Sequence, residues 1–349
     1  MVTHSMKKTI ILLTLLSGIY SCHPKQVRVK QYSNIDSILQ VKATSILENK
    51  LSELKALSGQ AIIMEVQTGQ IKAMVGLERK DSANYQASNI FSHAQESGLM
   101  HPISILAALE TGKTKLSEKV DVGNGIYTFG DNELKDHNWQ KGGYGEITIN
   151  RGLASSSNIA IYKMVKHCFD NTQDYVKLLQ QMSYGKPDCI TGIENLEPAS
   201  LKMSPKETDF AWLSIGYNQT IAPIQMLTFY NAIANNGKMV QPLLYKDSTT
   251  VINPQIANPA NIDSLKQALE YVVTDGLGKP AQSEKVKVAG MNGTIQLEDG
   301  SYLAEFCGYF PANNPQYSIM VSIHKKEIPV SGGLMAGDAF RQIVDYMVK

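Results

Sequence analysis

The chain has 349 residues, enough for a sizeable core in one large domain or in two subdomains that share a core. Its 33 basic and 32 acidic residues balance, which argues against a nucleic-acid surface or any strongly charged partner. The four cysteines are widely spaced, with no paired Cys or His, so neither a metal nor a cofactor is expected.

The N-terminus departs from this ordinary composition. Lys7 and Lys8 precede an apolar run, Thr9–Leu16, and Ile19-Tyr20-Ser21-Cys22 closes the segment. That layout predicts a signal peptide over residues 1–21, with an apolar part too short to span a bilayer. The cysteine that follows resembles a bacterial lipoprotein processing site. Cys22 is therefore the expected lipidation position, residues 22–33 a polar tether, and the bacterial envelope, facing the periplasm, the expected location. Ordinary cleavage with a free Cys22 is the alternative.

From Ile35 to Leu57 apolar residues keep helical spacing and predict one amphipathic helix. Ala61–Val66 and Ile71–Val75 flank Gln67-Thr68-Gly69-Gln70 as a hairpin, apolar enough to be central in a sheet. Residues 76–96 read as irregular. Pro102–Leu109 predicts a buried helix, residues 111–146 a Gly-rich loop region carrying Asp136-His137-Asn138-Trp139, and Asp174–Met182 a helix. Ser204-Pro205-Lys206-Glu207 reads as a capping box. Further helices are expected over Pro223–Ala234 and Asn261–Val273. Val286–Ala289, Gly293–Leu297, Tyr302–Phe310 and Tyr317–His324 read as strands, and Met335–Val348 as a final helix. Cys168, Cys189 and Cys307 read as small buried hydrophobes, with a Cys168–Cys189 disulfide as the alternative.

Strands at both chain ends with helices between them predict an α+β fold. First and last strands pair in one antiparallel sheet, the terminal helices cover it, and an all-helical part sits beside it. The sheet subdomain is expected over 34–90 and 280–349, the helical subdomain over about 91–279.

Within the helical part, GEITINRGLASSSNIAIYKMVKH (145–167) stands out. Ser155, Ser156, Ser157 and Asn158 open a helix whose buried face is Ile159, Ala160, Ile161, Met164 and Val165. Helix capping accounts for one such polar residue. The remainder read as the wall of a site.

The order of these blocks resembles the transpeptidase domain of class B penicillin-binding proteins, which share a fold with serine β-lactamases. The resemblance rests on AIIMEVQTGQIKAMV, the SSSN helix start, LSIGYNQTIAPIQMLTFYNAIANNG, TDGLGKPA, VAGMNGT and AEFCGYFPANNPQYSIMVSI. It implies three elements around one cleft: Ser-x-x-Lys as nucleophile and base, Ser-x-Asn on the opposing wall, and Lys-Thr-Gly as a cationic clamp on an edge strand. Only the second is intact, as Ser156 and Asn158. Where the family reads EPGSTFKP, this chain has Gln95-Glu96-Ser97-Gly98-Leu99-Met100-His101-Pro102. Aligned on the proline, Gly98 holds the nucleophile position and His101 the lysine position; aligned on Glu96-x-Gly98 instead, a gap removes part of the motif. Either way there is no Ser-x-x-Lys. Met291-Asn292-Gly293-Thr294 replaces Lys-Thr-Gly-Thr. Ser52-Glu53-Leu54-Lys55 and Ser322-Ile323-His324-Lys325 spell the first motif in a helix and a strand that precede and follow the site, and read as chance. Ser97 with His101, four residues apart, is the one surviving nucleophile–base candidate, if both lie on one helical face.

Three functions follow from the resemblance. The first is a catalytically inactive transpeptidase-like lipoprotein that binds a peptidoglycan stem peptide or a cell-wall synthesis protein. The second is a D,D-transpeptidase-like enzyme acting through Ser97 and His101. The third is a structural partner protein with a vestigial cleft. His137 and Trp139 are expected to pack a cleft loop, Tyr217 to be core, and Asn218 and Gln219 to line the cleft floor.

Overall fold

The computed structural model describes residues 33–81 and 84–348. The signal peptide, Cys22 and the tether up to residue 32 lie outside them. Asp36 starts the first helix, α1 (Ser37–Leu54), by accepting from the Ile38 and Leu39 amides at 2.9 and 3.0 Å. Lys55, left-handed at φ 51°, ends it. The sheet has six strands, β1 (Ser58–Glu65), β2 (Ile71–Arg79), β3 (Tyr85–Ala87), β4 (Ala289–Gln296), β5 (Tyr302–Phe310) and β6 (Tyr317–Lys325). Their spatial order is β4-β5-β6-β1-β2-β3, antiparallel throughout. First and last long strands pair, Ser58 with His324 through Glu65 with Tyr317.

The α+β architecture is as expected, with local corrections. Val286–Ala289 and Gly293–Leu297 are not two strands; Gly290 and Gly293 interrupt the apolar pattern, but not the ladder of β4. Residues 76–96 are not all irregular, since β2 runs on to Arg79 and β3 adds an edge. The loop region 111–146 holds short hairpin pairs, 119–121 with 146–148 and 126–129 with 132–135.

Helices α2 (His101–Glu110), α3 (Ile149–Ala154), α4 (Asn158–Cys168), α5 (Thr172–Gln181), α6 (Glu207–Ile215), α7 (Pro223–Ala234) and α8 (Pro259–Asp275) cover one face of the sheet. Their core includes Ile62, Met64, Met291, Cys307, Tyr309 and Met320 from the strands. The capping box at Ser204 does not form: the N-cap of α6 is Lys206, two residues later, and it makes no side-chain cap. The Ser204 hydroxyl instead accepts from the Lys206 amide.

On the other face α1 packs beside α9 (Asp338–Met347), which is entered through a π-helical turn at Gly333–Gly337. Phe306 of β5 meets Phe340 of α9 with ring centroids 4.7 Å apart. Cys168 and Cys307 are free buried thiols, so the Cys168–Cys189 bridge does not form, and Cys189 is half-buried rather than core.

Phe340 is fully buried between the sheet and α1. Phe340→Ala is expected to destabilise by about 3–5 kcal/mol, as large core aromatics do when truncated. Equilibrium urea unfolding measures it; a loss under about 1 kcal/mol would show that α9 does not hold this face.

Candidate active site

The site is built where α2 begins, where α3 gives way to α4, and along the outer edge of β4. The serine cluster breaks one helical run into two. Ser155 donates to the Arg151 carbonyl at 2.7 Å, finishing α3. Ser156 takes a left-handed φ of 50° and turns the chain. Ser157 caps α4: its Oγ accepts from the Ala160 amide at 3.1 Å and donates to Asp136 Oδ2 at 2.6 Å. Asp136 Oδ1 accepts from the Ile159 amide at 3.1 Å. This carboxylate is fully buried, and burial raises its pKa. Capping therefore accounts for Ser155 and Ser157. Of the four polar residues, Ser156 and Asn158 are left half-buried at the turn.

Asn158 is engaged on both sides. Its Nδ2 donates to the Lys135 carbonyl at 3.0 Å, which turns Oδ1 toward His101 Nε2 at 3.1 Å. His101 must then carry its proton on Nε2. Its Nδ1 is a bare acceptor, buried without a partner. Burial drives the His101 pKa down to about 4, so the ring is neutral. The first and second motifs thus meet, His101 against Asn158, as their alignment implies.

Ser97 and His101 do not share a helical face. α2 starts at His101, leaving Ser97 in the preceding turn. The Ser97 hydroxyl donates to Glu305 Oε2 at 2.9 Å, and the Gly98 amide donates to the same oxygen at 2.8 Å. Ser97 is 2% exposed and Glu305 1%. Desolvation pushes the Glu305 carboxyl up to about 7, against the pull of these two donors.

The third motif closes on the first by backbone contact. A Cβ on Gly98 would lie 2.8 Å from the Thr294 amide nitrogen and 3.1 Å from Gly293 Cα. A Cβ on Gly293 would lie 2.7 Å from the Gly98 carbonyl carbon. Neither position has room for a side chain. The register pairs Met291 with Cys307 and Gly293 with Glu305, on the face toward the helices. Asn292 pairs with Phe306, and cross-strand partners share a face, so its side chain belongs to the α9 side. Asn292 is thus a correction to its expected place in the cleft; it is 7% exposed and its Oδ1 has no partner. Thr294 Oγ1 accepts from the Gly332 amide at 2.9 Å.

Of the surrounding residues, His137 meets the Tyr144 hydroxyl at 3.2 Å, and Trp139 lies under Lys135, packing the loop as expected. Tyr217 is only half-buried, its hydroxyl accepting from the Gln296 amide. The Asn218 backbone amide donates to Glu96 Oε1 and the residue is half-buried, while Gln219 is buried, its Oε1 accepting from the Tyr184 hydroxyl. Sequence reasoning missed Asp136 as a cap and Glu305 altogether. An acidic residue inside the apolar run Tyr302–Phe310 was the available signal.

Glu305 and His101 oppose one another in pH dependence. Glu305 ionises near 4.5 when unfolded but at about 7 when folded. Its contribution to stability is therefore full below pH 4.5 and is lost as pH rises through 7. His101 titrates near 6.5 unfolded and about 4 folded. Its contribution is full above pH 6.5 and is lost as pH falls through 4. Each limb is worth up to about 3 kcal/mol. Relative to wild type, Glu305→Gln is expected to lose stability as pH falls from 6.5 to 4.5, and His101→Asn as it rises from 4.5 to 7. Urea unfolding across this range tests both; parallel wild-type and variant profiles would sink the assignment.

The sequence model of the penicillin binding protein transpeptidase domain matches residues 59–345. The probable peptidoglycan D,D-transpeptidase PbpC of Pseudomonas aeruginosa is 26% identical, covering 89% of this chain and 57% of that protein. The peptidoglycan D,D-transpeptidase FtsI of Escherichia coli K12 is 23% identical, covering 87% and 55%. The chain thus spans just over half the length of these relatives. Among solved structures, the apo TP domain of Burkholderia pseudomallei penicillin-binding protein 3 superposes with a TM-score of 0.79 at 22% identity, covering 90% of this chain and 95% of that one. A peptidoglycan glycosyltransferase from Burkholderia ambifaria gives 0.78 at 24%, covering 90% and 96%. These likenesses show the fold.

Proposed function

We propose that this chain, which belongs to the penicillin-binding protein transpeptidase family, acts in the bacterial envelope by binding a cell-wall synthesis protein, not by acyl transfer. The observation that carries this is the contact of Gly98 with Gly293 and Thr294. The aligned nucleophile position has no oxygen and no space for one. The lysine position holds a neutral, buried histidine that is bonded to Asn158. The clamp position holds Met291, fully buried. Nucleophile, base and clamp act as a unit in such chemistry, so losing all three leaves little to rescue. A stem peptide in this cleft is disfavoured for a related reason: Asn158, Ser97 and the Gly98 amide are all bonded internally.

The rival, acyl transfer from Ser97, draws on its hydrogen bond to Glu305, a hydroxyl beside a carboxylate base. At 2% exposure that hydroxyl is closed to a substrate.

Incubation with a reactive penicillin, followed by intact-mass analysis, is expected to give no adduct. Gly98→Ser should give none either, and should lower stability by about 1–3 kcal/mol through overpacking. A stoichiometric wild-type adduct that disappears in Ser97→Ala overturns the proposal in favour of the rival. Titration with a pentapeptide stem should show no saturable binding.

The anchor is part of the same proposal. Lipid attachment at Cys22, facing the periplasm, would hold the domain at the membrane through a short tether. Cys22→Ser is expected to move the protein to the soluble fraction of cells; unchanged membrane partition refutes the anchor.

A further inference from the structure

Glu305 stands in a strand where a carboxylate is costly. Its neighbours along β5 are Leu303, Ala304, Phe306 and Cys307, all buried, and Tyr184, Tyr230 and Cys307 are the titratable groups around it. An apolar side chain there would avoid desolvation, so the carboxyl group matters for what it touches. It touches two donors, the Ser97 hydroxyl and the Gly98 amide. Gly293 lies opposite it on β4 and has no side chain to block its path to them.

We propose that Glu305 is an internal ligand of the cleft, a carboxylate plug seated in a two-donor cradle at the entry to α2. The plug holds the Ser97–Gly98 turn against the edge of β4. Gly216 closes the other side: the Ser97 amide donates to its carbonyl, and a Cβ on Gly216 would lie 2.0 Å from the Ser97 carbonyl oxygen. The cradle's natural complement is any small carboxylate, and the chain supplies its own. Catalysis by the same pair is excluded by the plug itself. The amide that would stabilise an oxyanion is bonded to the carboxylate that would act as base. The inference rests on the non-acylating reading of the site but is tested apart from it.

The test is chemical rescue of the full chain by formate. Glu305→Ala leaves a hole of carboxylate size lined by two unpaired donors. Its melting temperature is expected to fall by several degrees and to recover by at least half, saturably, on addition of sodium formate. Sodium chloride at equal ionic strength should not restore it, and neither wild type nor Glu305→Gln should respond to formate. Equal shifts with formate and chloride overturn the proposal. Should Glu305→Ala fail to fold, hydrogen exchange of the Gly98 amide in Glu305→Gln decides. Above the Glu305 titration at about 7 the wild-type group is a carboxylate, and a neutral acceptor is weaker. Exchange measured at about pH 8.5 should therefore quicken about tenfold against wild type; an unchanged rate overturns the plug. Neither readout involves a penicillin or a peptide. Penicillin acylation with intact rescue would fault the proposed function alone, and absent rescue without acylation would fault the plug alone.

Discussion

A sheet covered on both faces offers its polar side chains no water, and most of what is distinctive here follows from that constraint. The interiors of β1, β5 and β6 are buried, their apolar residues facing either the helical layer or the α1–α9 pair. The polar exceptions must be bonded or bear a cost. Ser318 donates to Asn231 Oδ1 at 2.7 Å, tying β6 to α7, while Asn231 Nδ2 donates to the Val66 carbonyl. Glu305 reaches across the sheet's edge to the turn before α2. Asn292 is left with an orphan oxygen.

The same rule explains how the site is closed. An open cleft would give Asn158, Ser97 and the Gly98 amide water or ligand as partners. In this chain each finds its partner in the protein. Three glycines make that possible, Gly98, Gly216 and Gly293, because their missing side chains let backbone approach backbone. The close approach of Gly98 to Gly293 and Thr294 leaves no space for a side chain at the entry to α2.

Much of this was legible beforehand, and the reasons differ by element. Apolar runs such as Ala61–Val66 and Tyr317–His324 announced a buried sheet, and their places at the two ends of the chain announced its antiparallel closure. Pro223 and the Asn235-Asn236-Gly237 stop fixed α7 to the residue. The SSSN block marked the turn between α3 and α4, where Asn158 meets His101. Contacts made by polar side chains over long separations were not legible. Glu305 is 208 residues from Ser97, and no local pattern links them. Asp136 sat in a stretch notable for its aromatics, and only the fold shows its carboxylate capping α4. Ser97 and His101 looked paired because helical spacing was extended one turn too far, past the start of α2.

The pairing of β1 with β6 also sets the order in which the molecule can assemble. Some 250 residues separate their partnered positions, so the closure entropy of that loop must be met before the pairing returns anything. The α1–β1–β2 segment is local and can form early, but it stays half a sheet. The closing strand, Tyr317–Lys325, takes the third place of six and not an edge. A chain cut short before Tyr317 would therefore lose the middle of its sheet rather than a tail. In a growing chain this fold has no central layer until synthesis has passed Lys325.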